Sequence, residues 1–396
     1  MKNLRVLVTN AELKNSLAIV RSLGKKGFYV ISAGHNRVCQ SFLSKYSKYR
    51  YIYTNPRKNA EKFINDLLNF VKKNDCNIIL PVGADATVPL ALHKEKFLPY
   101  VKLPIANYNA VMKAHNKQET MALAKKIGVA IPKTFSPKNE EELEKIAYSI
   151  DYPVVIKPRK SSASVGLRYA FSPEDLLEKY KIDIKSNAIF DYTNPLIQEY
   201  VPGEIHDVCV LFNNGEMVAG LTQKRIWQYP ISGGWGVVNE TTDEPHLLEL
   251  TSKLLKNMKW HGVAQVEFKI DSRNSKPKLI EVNPKFWGTL ELSITAGIDF
   301  PYLLCKIAMG EEVEPVFEYK KGLKFAWINY GFFGNILQSE NFCKKLKEAI
   351  DICKTANMDI SLEDFLPHLI TLFPNFMKAL KETIHSSKRL LFSTSS

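Results

Sequence analysis

Two short stretches in the second half of the chain place oxygen donors at strand spacing. In Gln265-Val266-Glu267-Phe268-Lys269 polar and apolar residues alternate, so Gln265, Glu267 and Lys269 share one face of an extended segment. In Leu279-Ile280-Glu281-Val282-Asn283-Pro284 the same period puts Glu281 and Asn283 together. The turn residues Asp271-Ser272-Arg273-Asn274 predict a hairpin between the two stretches, which can bring Glu267 beside Glu281. Two carboxylates close together in an otherwise apolar sheet repel each other unless a cation lies between them. With the amide oxygen of Asn283 they form a hard, all-oxygen donor set, suited to Mg²⁺ shared with phosphate oxygens. The alternative is a solvated strand face with unrelated acids; the apolar neighbours and the Glu-x-Asn-Pro ending weigh against it.

Charges of the opposite sign lie upstream. Lys157 ends the apolar run Val154-Val155-Ile156, where its ammonium can project into a pocket and meet a phosphate as a point charge. The loop after it, Ser161-Ser162-Ala163-Ser164-Val165-Gly166, has residues small enough for backbone N–H groups to close over phosphate oxygens. Lys117, at the start of a predicted helix, is a second candidate cation. In Gln198-Glu199-Tyr200-Val201-Pro202-Gly203-Glu204, an extended backbone at Glu199, Tyr200 and Val201 offers N–H and C=O groups to an adenine edge, and Glu204 is placed to accept from ribose hydroxyls. Each of these elements alone would pass for an ordinary strand end or solvated lysine.

The elements that must position these groups follow from periodicity. Strands are expected at Leu4–Thr9, Phe28–Ser32, Tyr51–Tyr53 and Ile78–Pro81, alternating with helices at Ser16–Lys26 and Asn59–Lys73. Such alternation predicts a parallel sheet covered by helices, an α/β unit over residues 1–114. The first strand–helix junction, Thr9-Asn10-Ala11-Glu12-Leu13, has no GxGxxG, which argues against a dinucleotide site there. Asp85 follows a buried strand, and two readings stay open: a ligand group or a helix cap. From about His115 the pattern becomes α+β over residues 115–318. A helix is expected at Asn116–Ile127 and strands at Pro153–Lys157, Leu196–Val201, Val208–Phe212, Val218–Gln223, Val263–Ile270 and Lys278–Val282, with a further hairpin at Asn213-Asn214-Gly215. Residues 319–396 form a predicted helical C-terminal extension. Its apolar positions (Phe365, Leu366, Leu369, Leu372, Phe373, Phe376, Leu380) either pack on the main body or meet a partner or membrane surface, and Ser393–Ser396 read as a frayed end.

Composition narrows the class. A 396-residue chain with 45% hydrophobic residues can bury a core in two or three domains. No signal-peptide pattern and no bilayer-length apolar run is present, and the six cysteines are scattered without a CxxC pair; a cytoplasmic, reducing setting is the expectation. The net charge of +13 is spread along the whole chain without an arginine-rich arm or aromatic nucleic-acid motif. It therefore suggests a basic cleft for phosphates and carboxylates rather than a nucleic-acid partner.

In combination and in order, Lys117, Lys157, Ser161–Gly166, Glu199–Val201, Glu267 and Glu281/Asn283 resemble the ATP-grasp superfamily. The runs Gln223–Pro230, Ser232-Gly233-Gly234 and Glu281–Gly288 are similar to its carbamoyl-phosphate-synthase-like carboxylate–amine ligase branch. The resemblance covers about Leu4 to Met309. It implies ATP with Mg²⁺ (Mn²⁺ as a substitute), small-molecule carboxylate and amine substrates, and an ADP-forming ligase that passes through an acyl phosphate. The chain departs from the family's pattern in two ways: its phosphate loop has one glycine, Gly166, and the acyl-phosphate cation is left among Arg225, Lys224 and Lys285. Two rivals are a carboxyphosphate-forming enzyme acting on bicarbonate and an ATP-binding docking protein without ligase turnover. The segment Trp227–Val237 is expected to line the acceptor side.

Overall fold

The computed structural model describes residues 4–161, 164–187 and 189–372. The first third alternates as expected: β1 (Arg5–Val8), α1 (Lys14–Lys25), β2 (Tyr29–Gly34), β3 (Ser47–Ile52), α2 (Ala60–Lys73), β4 (Ile78–Leu80), α3 (Ala84–Leu92) and the short α4 (Lys94–Phe97). The four strands are parallel, in the order β3-β2-β1-β4. The two inner strands, β1 and β2, are buried almost along their whole length because helices cover both faces of the sheet. Helix α2 begins where Asn59 accepts the Lys62 N–H, and it buries Phe63, Ile64, Leu67, Phe70 and Val71 as one stripe. Two further helices, α5 (Tyr108–His115) and α6 (Lys117–Lys126), each start on an asparagine cap, Asn107 and Asn116.

A small antiparallel sheet follows, built from β5 (Thr134–Phe135), β6 (Val154–Lys157), β7 (Arg168–Ala170) and β8 (Leu196–Glu199) in the order β5-β8-β6-β7. The large sheet contains β9 (Ile205–Asn213), β10 (Glu216–Tyr229), β11 (Trp235–Thr242), β12 (Gly262–Asp271), β13 (Lys276–Asn283), β14 (Lys324–Ala326) and β15 (Asn357–Met358), in the order β13-β12-β9-β10-β11-β14-β15. Both expected hairpins are present. At the β9–β10 turn Asn214 and Gly215 both have positive φ, 48° and 91°, the pairing that matches strand twist in a two-residue loop. One apolar cluster joins the helices of the first domain to the large sheet through Trp260, Phe212, Phe268 and their neighbours.

Three features differ from expectation. Strand β10 continues past Gln223 to Tyr229, and β5, β7 and β11 lie outside the expected strands. Trp227 and Tyr229 are buried and pair across to β11, so a glycine-rich stretch that reads as a loop is the tip of a hairpin. Gly234 allows that tip: a Cβ there would lie 2.0 Å from the Tyr229 carbonyl oxygen. The third difference is the C-terminal extension, which is mixed rather than helical. Its β14 pairs antiparallel with β11, β15 pairs parallel with β14, and a helix, Phe342–Thr355, follows Asn341. The described part packs on the main body through Arg21, Asp364 and His368. Among the described residues no helix is long and apolar enough to cross a membrane. Phe373, Phe376, Leu380 and Ser393–Ser396 lie outside the described residues.

Candidate functional site

Strand register assembles the centre of the site. Glu281 on β13 stands opposite Glu267 on β12, Glu267 opposite Asp207 on β9, and Asp207 opposite Gln223 on β10. Three acids thus form one rung across four strands, an arrangement that like-charge repulsion disfavours without cations. Arg225, two residues along β10 from Gln223, answers part of this. Its Nη2 lies 2.9 Å from Asp207 Oδ1 and 2.7 Å from Glu267 Oε2, and its Nη1 donates to Gly234 O. Asn283 Nδ2 donates to Gln265 Oε1 (3.3 Å), Glu267 Oε1 (3.2 Å) and Glu281 Oε1 (3.0 Å). Burial pushes the Glu267 carboxyl up to about 8; Arg225 pulls against this, and Glu281 and Asp207 reinforce it. Burial would raise Glu281 too, but Lys117 and Lys157 overcome it and hold that carboxylate at about 2. Burial and mutual repulsion thus work against two full negative charges on this pair, which Arg225 and Lys117 partly offset.

Two lysines face this rung. Lys117 Nζ lies 3.1 Å from Glu281 Oε2 and donates to Ser161 Oγ at 3.2 Å; its own N–H is fastened to Arg159 O. On β6, Val154 and Ile156 enter the core of the small sheet, so Val155 and Lys157 turn the other way and line a cavity. Lys157 has no ion-pair partner among the described residues; burial, then repulsion from Lys117, lowers its ammonium to about 8. Ser161 and Ser164 also line this cavity. Gly166 has φ +80°, and a Cβ there would lie 2.7 Å from Pro158 Cγ, so the single glycine is required by both conformation and space. Ser162 lies outside the described residues.

That cavity, of about 570 Å³, is apolar at one end, where Val155, Leu167, Tyr169, Phe171 and Ile280 line it beside the backbone of Glu199–Val201. The Glu199 carboxylate is already occupied: it accepts from Arg273 Nη2 at 2.5 Å, Lys278 Nζ at 3.1 Å and Lys133 N at 3.0 Å. Its contribution to the cavity is therefore backbone. Two expected residues are not brought in. Glu204 is exposed and lines an adjoining groove, with His206 Nε2 3.5 Å from its carboxylate. Lys224 lines neither this cavity nor the next, because strand alternation turns it away from the face that carries Gln223 and Arg225. Conversely, Asp207 was missed. It sits in an apolar-looking strand, Ile205–Asn213, and only the cross-strand register reveals its place in the rung.

A second cavity, of about 560 Å³, shares Ser164, Arg225, Gly234, Glu267 and Glu281 with the first. The loops and helix starts that follow β1, β2 and β4 supply more of its wall, Asn10, Lys14, His35 and Asp85, with Lys285, Trp235 and Tyr330 from later in the chain. Asp85 is not the cap of α3, which is Gly83. It lies in the first turn, 2.8 Å from Arg57 Nε, and accepts from Asn10 Nδ2. Lys285 lines this cavity, and burial lowers its ammonium against the pull of Glu281, Glu267 and Asp85.

His115 closes α5 just before Lys117 and donates from Nε2 to Ile189 O at 2.7 Å. Burial, with Lys117, Lys285 and Lys160 nearby, lowers it to about 4. Its folded value lies below the free value of about 6.5, so the unfolded chain binds more protons between the two. The stability it contributes is complete above pH about 6.5 and is lost as pH falls toward 4, roughly 2–4 kcal/mol for this buried ring. A His115→Gln variant should show a flatter urea-denaturation stability profile across that window; an unchanged slope would contradict the assignment.

The donor set fits a hard divalent cation. Rotating the Asn283 amide by half a turn exchanges Nδ2 for Oδ1, so the side chain that bridges the carboxylates would present a third oxygen. Among the described residues no cluster of three His, Cys, Asp or Glu side chains could hold a metal by itself. A cation shared with phosphate oxygens is the arrangement that two carboxylates and an amide suit.

A parallel α/β domain, then a small antiparallel sheet and a larger, mostly antiparallel one clasping a cavity that ends on this rung, is the fold of the ATP-grasp structures to which this chain is similar. The family described as "ATP-grasp in the biosynthetic pathway with Ter operon" matches residues 191–330, past the expected limit at Met309. The carbamoyl phosphate synthase large chain of Pyrococcus furiosus is 26% identical over 263 residues, 60% of this chain and 24% of that protein. A D-alanine–D-alanine ligase of Wolbachia pipientis is 28% identical over 207 residues, 48% of this chain and 63% of the ligase. The chain thus spans less than two thirds of either relative. The biotin carboxylase domain of Hydrogenobacter thermophilus 2-oxoglutarate carboxylase, solved with MgADP and bicarbonate, superposes with a TM-score of 0.63 at 17% identity, covering 82% of this chain and 73% of that one.

Proposed function

We propose that this protein is an ADP-forming ligase that activates a carboxylate with ATP and joins it to an amine. The observation that carries the proposal is that the two cavities meet at Glu267, Glu281 and Arg225. The first cavity would take ATP: the base at its apolar end along the Glu199–Val201 backbone, the phosphates at Lys117, Lys157 and the Ser161–Gly166 loop. Glu267, Glu281 and Asn283 would hold Mg²⁺, which neutralises phosphate charge when bound. The substrate carboxylate, in the second cavity, attacks the γ-phosphorus; the bond from that phosphorus to the ADP oxygen breaks and an acyl phosphate forms. Attack by the amine on the acyl carbon then expels phosphate, and the amine gives up a proton. Phosphoryl transfer of this kind asks for positioning and charge neutralisation rather than a protein nucleophile. The buried thiols agree, since burial pushes Cys39 and Cys76 up to about 12. Lys285 and Arg225, which line the second cavity, would stabilise the charge that develops on the acyl oxygen.

A cavity of about 560 Å³ is in the range that holds whole small molecules, which favours an organic acid over bicarbonate. The test is ADP release against a panel of small acids and amines with Mg²⁺; ATP consumption that no acid stimulates would overturn the ligase reading. Lys157→Met should raise the KM for ATP about 10- to 100-fold. It should also raise the melting temperature of the ligand-free protein, since a buried ammonium without an ion-pair partner is removed. A KM unchanged within twofold would remove Lys157 from the phosphate site.

A further inference from the structure

The charged side chains that line the second cavity can be paired off one by one. Glu12 meets His35 at 3.2 Å, Arg57 meets Asp85 at 2.8 Å, Arg225 spans Asp207 and Glu267, and Glu281 meets Lys117. Two lining residues, Lys14 and Lys285, have no ion-pair partner among the described residues. Lys14 is the first residue of α1, and its Nζ is buried without a hydrogen-bond partner. It lies 4.3 Å from the ring centre of Trp327 and 5.4 Å from that of Tyr330, so two aromatic faces from the C-terminal extension frame the ammonium without supplying an anion. Its Cε also packs on Gly288, three residues beyond Lys285, where a Cβ would lie 3.4 Å away. The nearest acids are engaged elsewhere: Asp359 accepts from Ile328 N and Asn329 Nδ2, and Glu291 faces Arg21 at 3.6 Å.

A buried ammonium lacking a partner is costly unless a ligand supplies one. Asp85, Glu267 and Glu281 each already face an arginine or a lysine and Glu12 faces the His35 ring, so a substrate ammonium would have to break an existing contact, whereas an anion meets two open ammonium groups. We infer that the second cavity takes a small acid with two anionic groups, the reacting carboxylate at Lys285 and a carboxylate or phosphonate-like group at Lys14; this rests on the ligase reading above. Lys14 is then a specificity-determining residue, and the C-terminal extension builds its pocket.

The full-length protein with Mg²⁺ and ATP is assayed for ADP release with butyrate, C4–C6 dicarboxylates such as glutarate, and 3-phosphonopropionate. In parallel, calorimetry measures the same acids binding to the protein with Mg²⁺ and a non-hydrolysable ATP analogue. The expected result is a preference in kcat/KM of about 10- to 100-fold for a two-anion acid over butyrate, the size of one charge-assisted contact. That ratio should collapse to within about threefold in Lys14→Met. In Gly288→Val, which crowds Lys14 without removing its charge, the ratio should fall as well. The dicarboxylate and phosphonate arms tell which second anion is preferred. An equal or greater preference for butyrate, or a two-anion preference that both variants leave intact, overturns the inference while the ligase reading stands. Lys14-dependent binding of a two-anion acid by calorimetry without ADP release from any acid upholds the inference and overturns the ligase reading. Neither binding nor turnover overturns both.

Discussion

Replacing Glu281 by glutamine should lower Mg²⁺-dependent ADP release by at least about 10³-fold, the scale expected when a preorganised charge at the transferring phosphoryl group is lost. The substitution keeps the shape of the side chain and removes one thing, the negative charge. Lys117 and Lys157 hold Glu281 at about 2 against burial, so the proposed ligand carries its charge at neutral pH. Burial instead pushes Glu267 up to about 8, against the pull of Arg225 and with the repulsion of Glu281 added. The variant loses the ion pair with Lys117 but also the repulsion between Glu267 and Glu281, so its thermal stability should change little. A Mg²⁺ titration of ADP release separates the causes: a lost ligand shifts the metal requirement upward as well as lowering the rate. Turnover at the normal rate with the normal Mg²⁺ requirement would falsify the metal assignment.

The centre of this site was legible because it rests on period-two alternation and a hairpin turn, both local properties. Glu267 and Glu281 are opposite each other for the reason their spacing suggests, and Lys157 is turned inward because Val154 and Ile156 take the core side. Register between strands distant in sequence is not local, and there the reading failed. Asp207 joins the rung through β9, which lies between β12 and β10 in the sheet although it precedes both in the chain. Lys224 and Arg225 are chemically alike as candidate cations, and only the phase of β10, fixed by its pairing with β9, decides which faces the acids. Glu204 has the composition of a ribose contact but leaves the cavity just before β9 begins. The second cavity was the least legible part, since it draws on loops after β1, β2 and β4 and on Tyr330, residues separated by most of the chain.

That dependence on the far end of the chain gives the second large effect: Arg21→Met should destabilise the protein by about 3–5 kcal/mol, the cost of stranding a buried ionic partner. Arg21 is 6% exposed and Asp364 is 4% exposed. The Arg21 Nε lies 2.9 Å from Asp364 Oδ2, and Nη2 donates to Asp364 O and to His368 Nε2. Because Nε2 also accepts from Ser361 N, the His368 ring is neutral, in keeping with burial and then Arg21 lowering it to about 4. Removing the guanidinium leaves the Asp364 carboxylate buried with, among the described residues, Ser44 Oγ and the Lys45 N–H as its donors. The double variant Arg21→Met with Asp364→Leu should recover much of the loss, since an apolar pair of similar volume is close to neutral in such a position. The consequence reaches the site through Asp359, whose carbonyl accepts from Arg21 Nη1 and whose carboxylate holds Ile328 N and Asn329 Nδ2 just ahead of Tyr330. Arg21→Met should therefore raise the KM for the acid more than the KM for ATP, because Tyr330 lines the second cavity and not the first. Urea denaturation measures the stability loss and steady-state kinetics the two KM values. A loss below about 1 kcal/mol, or equal shifts in both constants, would mean that the extension does not shape the acceptor cavity through this buried pair.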